Sequence, residues 1–236
     1  AVRLLEAGND WTLESLLDLA YDPALPAFEV LFPPLVDALS HRALSDARLN
    51  EVYKTIQSWR YRADADSVAM TIAHFYGLQV LRNEVTVVGR DEKAALERFA
   101  ATASEEQQIR VLNSVLDDLV ARYGDWSLPW GEVNRLQRLT GDIIEPHSDD
   151  HESLPVGLAS GRWGALASYG SKRFGGTQKL YGYSGNSFVA VVEFGDRVRA
   201  KTMLAGGQAS DPKSPHFFDQ STRYIERQFK DVAYYR

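Results

Sequence analysis

The stretch Ser184-Gly-Asn-Ser-Phe-Val-Ala-Val-Val-Glu-Phe-Gly-Asp-Arg-Val-Arg-Ala-Lys201 predicts a β-hairpin. Successive side chains of an extended chain point to opposite faces, and both faces are apolar near the middle of residues 188–194. Such a strand is typical of a sheet covered on both sides. Gly195-Asp196 predicts a two-residue type II′ turn, because glycine comes first. The expected inward face of the returning strand comprises Val198, Ala200, Thr202 and Leu204.

The segment after the hairpin predicts a helix start. Gly206-Gly-Gln forms a loop, and Ser214 can cap a helix whose first position is Pro215, where the missing N–H costs nothing. Phe218, Ile225 and Phe229 would then share one helical stripe.

Composition narrows the class of protein. The chain has 236 residues, 44% of them hydrophobic, which is enough for a sizeable core. Its 26 basic and 32 acidic residues give a net charge of −6, so we expect no nucleic-acid partner. No apolar run is long enough for a membrane span, and the acidic, amphipathic start is unlike a signal peptide. The chain has no cysteine, which excludes disulfides, thiolate metal sites and a cysteine nucleophile.

Near residues 124–130, glycine becomes frequent and short apolar runs replace the long helical stripes. We therefore divide the chain into a helical region, 1–125, and a strand and loop region with a C-terminal helix, 126–236. The first region should hold four to six packed helices. Pro23 to Pro34 is expected to interrupt any continuous helix. The expected helix starts are Ser45, Asp66-Ser67, and Ser104 with Gln107 as a capping box.

Four blocks, in order along the chain, resemble the penicillin acylase family, in the carboxy-terminal part of its large chain. Residues 50–67 hold Trp59-Arg-Tyr-Arg followed by Asp66-Ser67, with Arg60 where the family commonly has aspartate. The others are Trp130-Gly-Glu132, Leu154-Pro-Val-Gly157, and the hairpin with its following segment to Gln220.

The resemblance implies an α+β fold, in which a helical region is followed by strands of a four-layer αββα N-terminal-nucleophile hydrolase sandwich. It also implies an amidohydrolase that cleaves linear amides of small acyl-amine substrates without a cofactor. In that chemistry, the hydroxyl of an amino-terminal serine attacks the carbonyl and its own amino group acts as base. Residue 1 is Ala1, and no position here aligns with the family's serine, asparagine or arginine. The resemblance therefore assigns no catalytic, binding or metal residue to this chain.

The expected partners are the remaining large-chain segment and the small chain of the same precursor. The lack of cysteine fits the cytoplasm and the periplasm equally, and the resemblance favours the periplasm or the outside of the cell. By itself the chain should expose a broad apolar face at the hairpin strand. An open, solvated edge at Val189 to Val192 in a freestanding globule would count against the kinship. The alternative is a non-catalytic binding or scaffold module derived from this fold. An enzyme with an internal serine ranks last, because Ser184-Gly-Asn-Ser lacks the Gly-x-Ser-x-Gly spacing.

Two polar segments could carry chemistry but have simpler interpretations. The acidic loop from Glu145 to Glu152 could hold a cation, yet its spacing matches no known metal motif, which favours a solvated surface loop. Ser184-Gly-Asn-Ser187 could form an anion nest, but a strand entry or bulge is favoured, with positive φ at Gly185 and hydrogen bonds from Asn186 to the backbone of its neighbours.

Histidines and aromatic residues supply the other candidates. His216 and Asp219 could pair, although without a nucleophile a packing and capping role is favoured, with Asp219 in the first turn of the predicted helix. His41 and His74 are expected to be interior or interface residues. Tyr181-Gly-Tyr183 and Trp163-Gly164 could equally line an acyl pocket or fill a core.

Overall fold

The computed structural model describes residues 1–42, 46–89 and 91–233, with only the backbone for residues 85–88. Contacts divide the chain into two compact units. The helical unit comprises residues 24–133 and 162–164, and the strand unit comprises residues 1–23, 134–161 and 165–236. The first 23 residues, which the sequence pattern places with the helices, therefore belong to the strand unit. Within the described ranges, no helix is both long and apolar enough to cross a bilayer.

Two short helices open the chain and belong to the strand unit: α1 (Val2–Leu5) and α2 (Leu13–Ala20). The helical unit then contains α3 (Pro26–Arg42), α4 (Ala47–Gln57), α5 (Val68–Val88), α6 (Glu92–Thr102), α7 (Glu105–Tyr123) and α8 (Trp130–Val133). Helix α3 packs on α4, α6 and α7, and α5 packs on α6 and α7.

Local capping explains where several of these helices begin. The Ser104 hydroxyl accepts from the Gln107 N–H, and the Gln107 side chain accepts from the Ser104 N–H, which confirms the predicted capping box of α7. The Ser67 hydroxyl accepts from the Met70 N–H at the start of α5, also as predicted. The predicted cap Ser45 lies outside the described residues, and the Asp46 carboxylate caps α4.

The prediction that Pro23 to Pro34 interrupts the helix is wrong at its C-terminal end. Pro26 opens α3, which continues through Pro33 and Pro34 to Arg42. Proline removes one backbone hydrogen bond from a helix interior, but burial of the apolar face of α3 offsets this cost. The fully buried side chains of that face include Phe28, Leu31, Phe32, Leu35 and Leu39.

Seven strands are described in the strand unit: β1 (Asn134–Leu136), β2 (Leu154–Pro155), β3 (Tyr169–Lys172), β4 (Leu180–Gly185), β5 (Phe188–Glu193), β6 (Arg199–Leu204) and β7 (Lys230–Asp231). One sheet has the order β2-β1-β4-β3, in which β1 is parallel to β4 and the other pairs are antiparallel. The second sheet has the antiparallel order β5-β6-β7.

The predicted hairpin is present, but its turn differs. Pairing of β5 with β6 ends at Glu193 and Arg199, which leaves residues 194–198 as a longer loop. The Arg199 guanidinium donates to the Glu193 carboxylate and closes the ladder there. Gly195 is not among the described glycines with positive φ, so the predicted type II′ turn at Gly195-Asp196 is wrong.

The prediction that β5 is covered on both sides is wrong for this chain by itself. Val191 and Met203 are buried and Val189 is partly buried, because α2 packs on β5, and Val189 and Met203 join one apolar cluster. Val189 lies directly opposite Met203, so the buried face of β6 carries Met203 instead of the predicted set Val198, Ala200, Thr202 and Leu204.

The other side of β5 lies open, which agrees with the apolar surface expected of the chain alone. Phe188 is 59% exposed, Val192 is 43% exposed, and Phe194, just beyond the strand, is 84% exposed. Strand β5 also lies at the edge of its sheet. We call Phe188, Ala190, Val192 and Phe194 the open face of β5.

The helix start predicted at Ser214 is present, but its helix is short. The Ser214 hydroxyl accepts from the His216 N–H, and Pro215 occupies the first position of a 3₁₀ turn, Pro215–Phe217. A separate helix, α9 (Ser221–Glu226), follows and packs on β6. The single stripe predicted through Phe218, Ile225 and Phe229 is therefore wrong, because left-handed Arg227 ends α9 before Phe229.

A candidate ligand cleft in the strand unit

The strand unit contains a cleft of about 330 Å³ beside the β1-β4-β3 part of its first sheet. Its walls combine the residues that follow β1, the start of the acidic loop, and the end of β4. Aromatic and charged side chains both face the cleft. The principal lining residues are Gln137, Arg138, Glu145, His147, Tyr169, Tyr183 and Tyr224.

Gln137 and Asp149 fasten the acidic loop that forms one wall. The buried Gln137 side chain accepts from the Ser148 N–H (2.9 Å) and donates to the Ser148 carbonyl (2.6 Å). The Asp149 carboxylate accepts from the Tyr181 hydroxyl (2.9 Å) and the Gln178 N–H (2.5 Å). The loop interpreted as a solvated surface segment is thus also anchored to β1 and β4, and Asp149 already has its partners.

Two titratable groups of this loop face the cleft in partly desolvated positions. Burial raises the pKa of the Glu145 carboxyl, and the negative charge of Asp142 adds to this effect. The Glu145 Oε2 atom is buried and has no hydrogen-bond partner among the described residues. The His147 ring stacks on Phe174, with 3.7 Å between ring centroids, and burial lowers the pKa of this imidazole.

The Ser184–Ser187 segment has the structural role that was favoured, except that the Asn186 side chain bonds the backbone of distant Ser168 and not that of its neighbours. Gly185 adopts φ of +141°, and a Cβ at this position would overlap the Ser168 carbonyl. The Asn186 side chain accepts from the Ser168 N–H (2.8 Å), while the Asn186 N–H donates to the Ser168 carbonyl (2.9 Å). Ser184, Gly185 and Ser187 also lie on the rim of the cleft.

The two aromatic-glycine elements have different roles. Gly182 and Tyr183 line the cleft, with the Lys172 ammonium 4.8 Å from the Tyr183 ring centroid. Trp163 is instead fully buried in the helical unit. Its Nε1 donates to His74 Nδ1 (3.2 Å), and burial lowers the pKa of His74 to about 3. Trp163 is therefore a core residue, and His74 is interior as expected.

His216 and Asp219 do pair, with 2.7 Å between Nδ1 and Oδ2. The hydrogen bond from His216 lowers the pKa of Asp219. Among the described residues, no hydroxyl bonds the other nitrogen of His216. The pair therefore links two residues of one surface segment and activates no nucleophile. Asp219 lies between the Pro215–Phe217 turn and α9, so its predicted place in the first turn of a helix is wrong.

His41 was expected to be an interior or interface residue; the interior position is wrong, and the interface position stays a prediction. Its exposed ring bonds Glu105 (3.0 Å), because it lies on the solvent side of α3 near the start of α7. Asp37, His41 and Glu105 hold three potential metal-ligand atoms within 4.8 Å of one another, all at the surface. Exposed groups of this kind are common without an ion, and we assign no function to them.

The sequence patterns did not single out three polar residues that shape this unit: Asn134, Gln137 and Arg138. Buried Asn134 donates to the carbonyls of Val156 (2.9 Å) and Leu158 (3.1 Å) and so ties β1 to the segment that contains Leu154-Pro-Val-Gly157. The segment Asn134-Arg-Leu-Gln-Arg138 has one apolar residue between two polar pairs and no period-2 alternation, so the sequence offers no clear strand signal for these positions.

Comparisons with known proteins agree with the family motifs. The sequence pattern of the family described as penicillin amidase matches residues 1–236. An acyl-homoserine lactone acylase, PvdQ, of Pseudomonas savastanoi pv. phaseolicola is 26% identical over 199 residues. That alignment covers 80% of this chain and 24% of the relative, so the chain spans about a quarter of the length of that protein.

An open edge at β5 was expected to count against membership of the family. The edge is open, but the family match covers both units, so the relationship stands. The residues quoted for the resemblance also have definite structural roles. The Trp130 N–H donates to the Ser67 carbonyl (3.1 Å), which joins two of the family blocks within the helical unit. With helices and mixed sheets consistent with an α+β fold, the chain belongs to the penicillin amidase family.

Proposed function

We propose that this chain is the C-terminal segment of the large chain of an amidohydrolase that cleaves linear acyl-amine bonds in small molecules. The single observation that carries this proposal is the family match across residues 1–236. The acylase name of the relative supports the same reaction class. In this proposal the nucleophile is an amino-terminal serine that lies outside these residues.

The proposed reaction needs chemistry that other parts of the protein would supply. A serine hydroxyl attacks the amide carbonyl and the free amino group of the same serine accepts its proton. That proton then passes to the amine, which leaves as the C–N bond breaks and an acyl-enzyme forms. Water then releases the acid. Donors of an oxyanion hole would stabilise the charge on the carbonyl oxygen. Within the described residues, His216 and Asp219 pair at the surface without a nucleophile, so we give them no part in this reaction.

The open face of β5 supports the proposed partners. Contiguous exposed apolar side chains on an edge strand are characteristic of a surface that another polypeptide covers. We infer that the remaining large-chain segment and the small chain of the same precursor cover this face. Following the family resemblance, we place the assembled enzyme in the periplasm or outside the cell, without a cofactor.

The test is to express the complete reading frame that contains this chain and to measure amine release from N-acyl amides. We expect amine release by the native protein and none by a variant in which the serine at the proposed amino terminus is alanine. Intact mass should show two chains, one of which contains these residues.

The scaffold alternative predicts different results. A protein that binds acyl amides without releasing amine, or that consists of a stable 26.4 kDa product of its own reading frame, would contradict the amidase proposal. Such a result would favour a non-catalytic module derived from this fold.

A further inference from the structure

We propose that the cleft of the strand unit binds a small zwitterion, with the Glu145 carboxylate taking an ammonium group and the Arg138 guanidinium taking a carboxylate. The chemical class is that of a free α-amino acid with an apolar side chain. This inference goes beyond the amidase proposal, because it depends only on residues of the strand unit.

The first support is the unsatisfied carboxylate oxygen of Glu145. Its Oε2 atom is buried and lacks a partner among the described residues, although buried polar atoms of folded proteins are almost always hydrogen-bonded. The Glu145 side chain also lines the cleft, and the part of its carboxylate that faces the cleft can accept a charge-assisted hydrogen bond from an ammonium group of a ligand. Asp142 adds a second negative charge nearby, which favours a cation on this side of the cleft.

The second support is the position of the Arg138 guanidinium, which stacks on a ring and has no carboxylate in direct contact among the described residues. The guanidinium lies 4.7 Å from the Phe217 ring centroid and interacts with Glu145 through charge. The described residues form no direct ion pair between Arg138 and Glu145, although both line the cleft. Stacking fixes the plane of a guanidinium and leaves its N–H edge available for two parallel bonds to a carboxylate. The cleft therefore presents opposite charges that do not neutralise each other by contact.

The size and remaining lining of the cleft limit the ligand. A volume of about 330 Å³ is at the lower end of the range for small-molecule sites. Rings of Tyr169, Tyr183 and Tyr224 face it, and the Tyr169 hydroxyl is already committed to the Arg135 carbonyl (2.7 Å). These rings offer apolar surface, so the ligand should carry an apolar group beside its two charges.

Calorimetry on the complete protein tests the charge pattern without any mutation. The probes are L-phenylalanine, phenethylamine, which lacks the carboxylate, and 3-phenylpropionate, which lacks the ammonium group. We expect L-phenylalanine to bind and each singly charged probe to bind about tenfold or more weakly, since hydrogen bonds between charged groups are the stronger ones. Equal affinity for the three probes, or no binding of L-phenylalanine at millimolar concentration, would overturn the proposal.

Variants then assign the two ends of the ligand. Glu145→Gln should lower the affinity for L-phenylalanine about tenfold or more and leave the affinity for 3-phenylpropionate unchanged. Arg138→Gln should lower the affinity for L-phenylalanine by a similar factor and leave the affinity for phenethylamine unchanged. The matched controls are Glu152→Gln, an exposed acid of the same loop, and Arg173→Gln, an exposed arginine outside the cleft. Loss of affinity in a control as large as in its partner variant would contradict the assignment. So would native affinity in Glu145→Gln.

Discussion

At the scale of single residues, His74 shows how burial changes chemistry. The helical spacing of the sequence places it on an interior stripe, but the sequence does not reveal its partner. The structure pairs its Nδ1 with the Trp163 indole N–H, 89 positions along the chain, and packs its ring 4.6 Å from that of Trp130. An imidazole that accepts this hydrogen bond must be neutral at Nδ1, and burial disfavours the charged form.

The low pKa of His74 predicts a specific acid sensitivity. Its pKa is about 3 in the folded protein and 6.5 for an unperturbed histidine, so the unfolded chain binds more protons between these values. The free energy of unfolding should therefore decrease as pH falls below 6.5, by up to about 1.4 kcal/mol per pH unit. Urea unfolding at several pH values should show that the free energy of unfolding depends less steeply on pH in His74→Gln than in the native protein. Equal slopes for the native protein and His74→Gln would contradict this account.

Gly182 allows a close approach of backbone and tyrosine. A Cβ at this position would overlap the Tyr169 hydroxyl, whose ring is buried in the core of the strand unit. Gly182→Ala should therefore destabilise the protein by about 1–3 kcal/mol through overpacking. The control is Gly175→Ala, where no atom lies within 4 Å of the added Cβ and φ is not positive. A denaturation midpoint for Gly182→Ala equal to that of the control would show that Tyr169 can move away without cost.

At the scale of elements, residues close in sequence were the predictable part. The capping box at Ser104 and Gln107, the cap at Ser67 and the Ser214-Pro215 start all depend on contacts within four positions, and all are present. The hairpin turn and α3 were predicted less well. Strand pairing ends at Glu193 and Arg199, whose exposed side chains form an ion pair, and burial of Phe28 and Phe32 offsets the cost of the prolines inside α3. Both features depend on partners that local patterns do not specify.

Removing the cap of α7 should have a measurable cost. Ser104→Ala deletes the acceptor of the Gln107 N–H and should lower the free energy of unfolding by about 1 kcal/mol. The control is Ser114→Ala, at an exposed position inside the same helix, where alanine should add about a few tenths of a kcal/mol. Chemical denaturation of both variants gives the comparison. If Ser104→Ala were as stable as Ser114→Ala, the capping box would contribute nothing to stability.

At the scale of the whole molecule, each unit has its own core. The helical unit buries large aromatic residues such as Phe28, Phe32, Tyr76 and Trp130. The strand unit buries Tyr169 and Tyr224 but leaves the open face of β5 in solvent. That surface is the structural counterpart of the partners that the family membership leads us to propose.

The open face of β5 should matter in the complete protein. Val192→Ser removes apolar area that an assembled partner would bury; because only the exposed 43% of Val192 can become buried, it should weaken the assembly by about 1 kcal/mol. Co-purification of the two chains and the unfolding midpoint of the assembled protein measure this effect. The control is Val120→Ser on α7, a valine of similar exposure, 40% against 43%. Equal, small effects of both substitutions would mean that the open face remains in solvent in the assembled protein.

The sequence by itself determined the starts of several helices, the existence of the hairpin and the motif blocks of the penicillin amidase family. These features depend on neighbouring residues or on residue identity alone, and both can be read along a chain. Only the tertiary structure decided which face of β5 is buried and which polar groups meet in the cleft. Arg138 and Glu145 face one cleft because Gln137 and Asp149 fasten the acidic loop to β1 and β4, a contact between segments that spacing along the chain cannot specify.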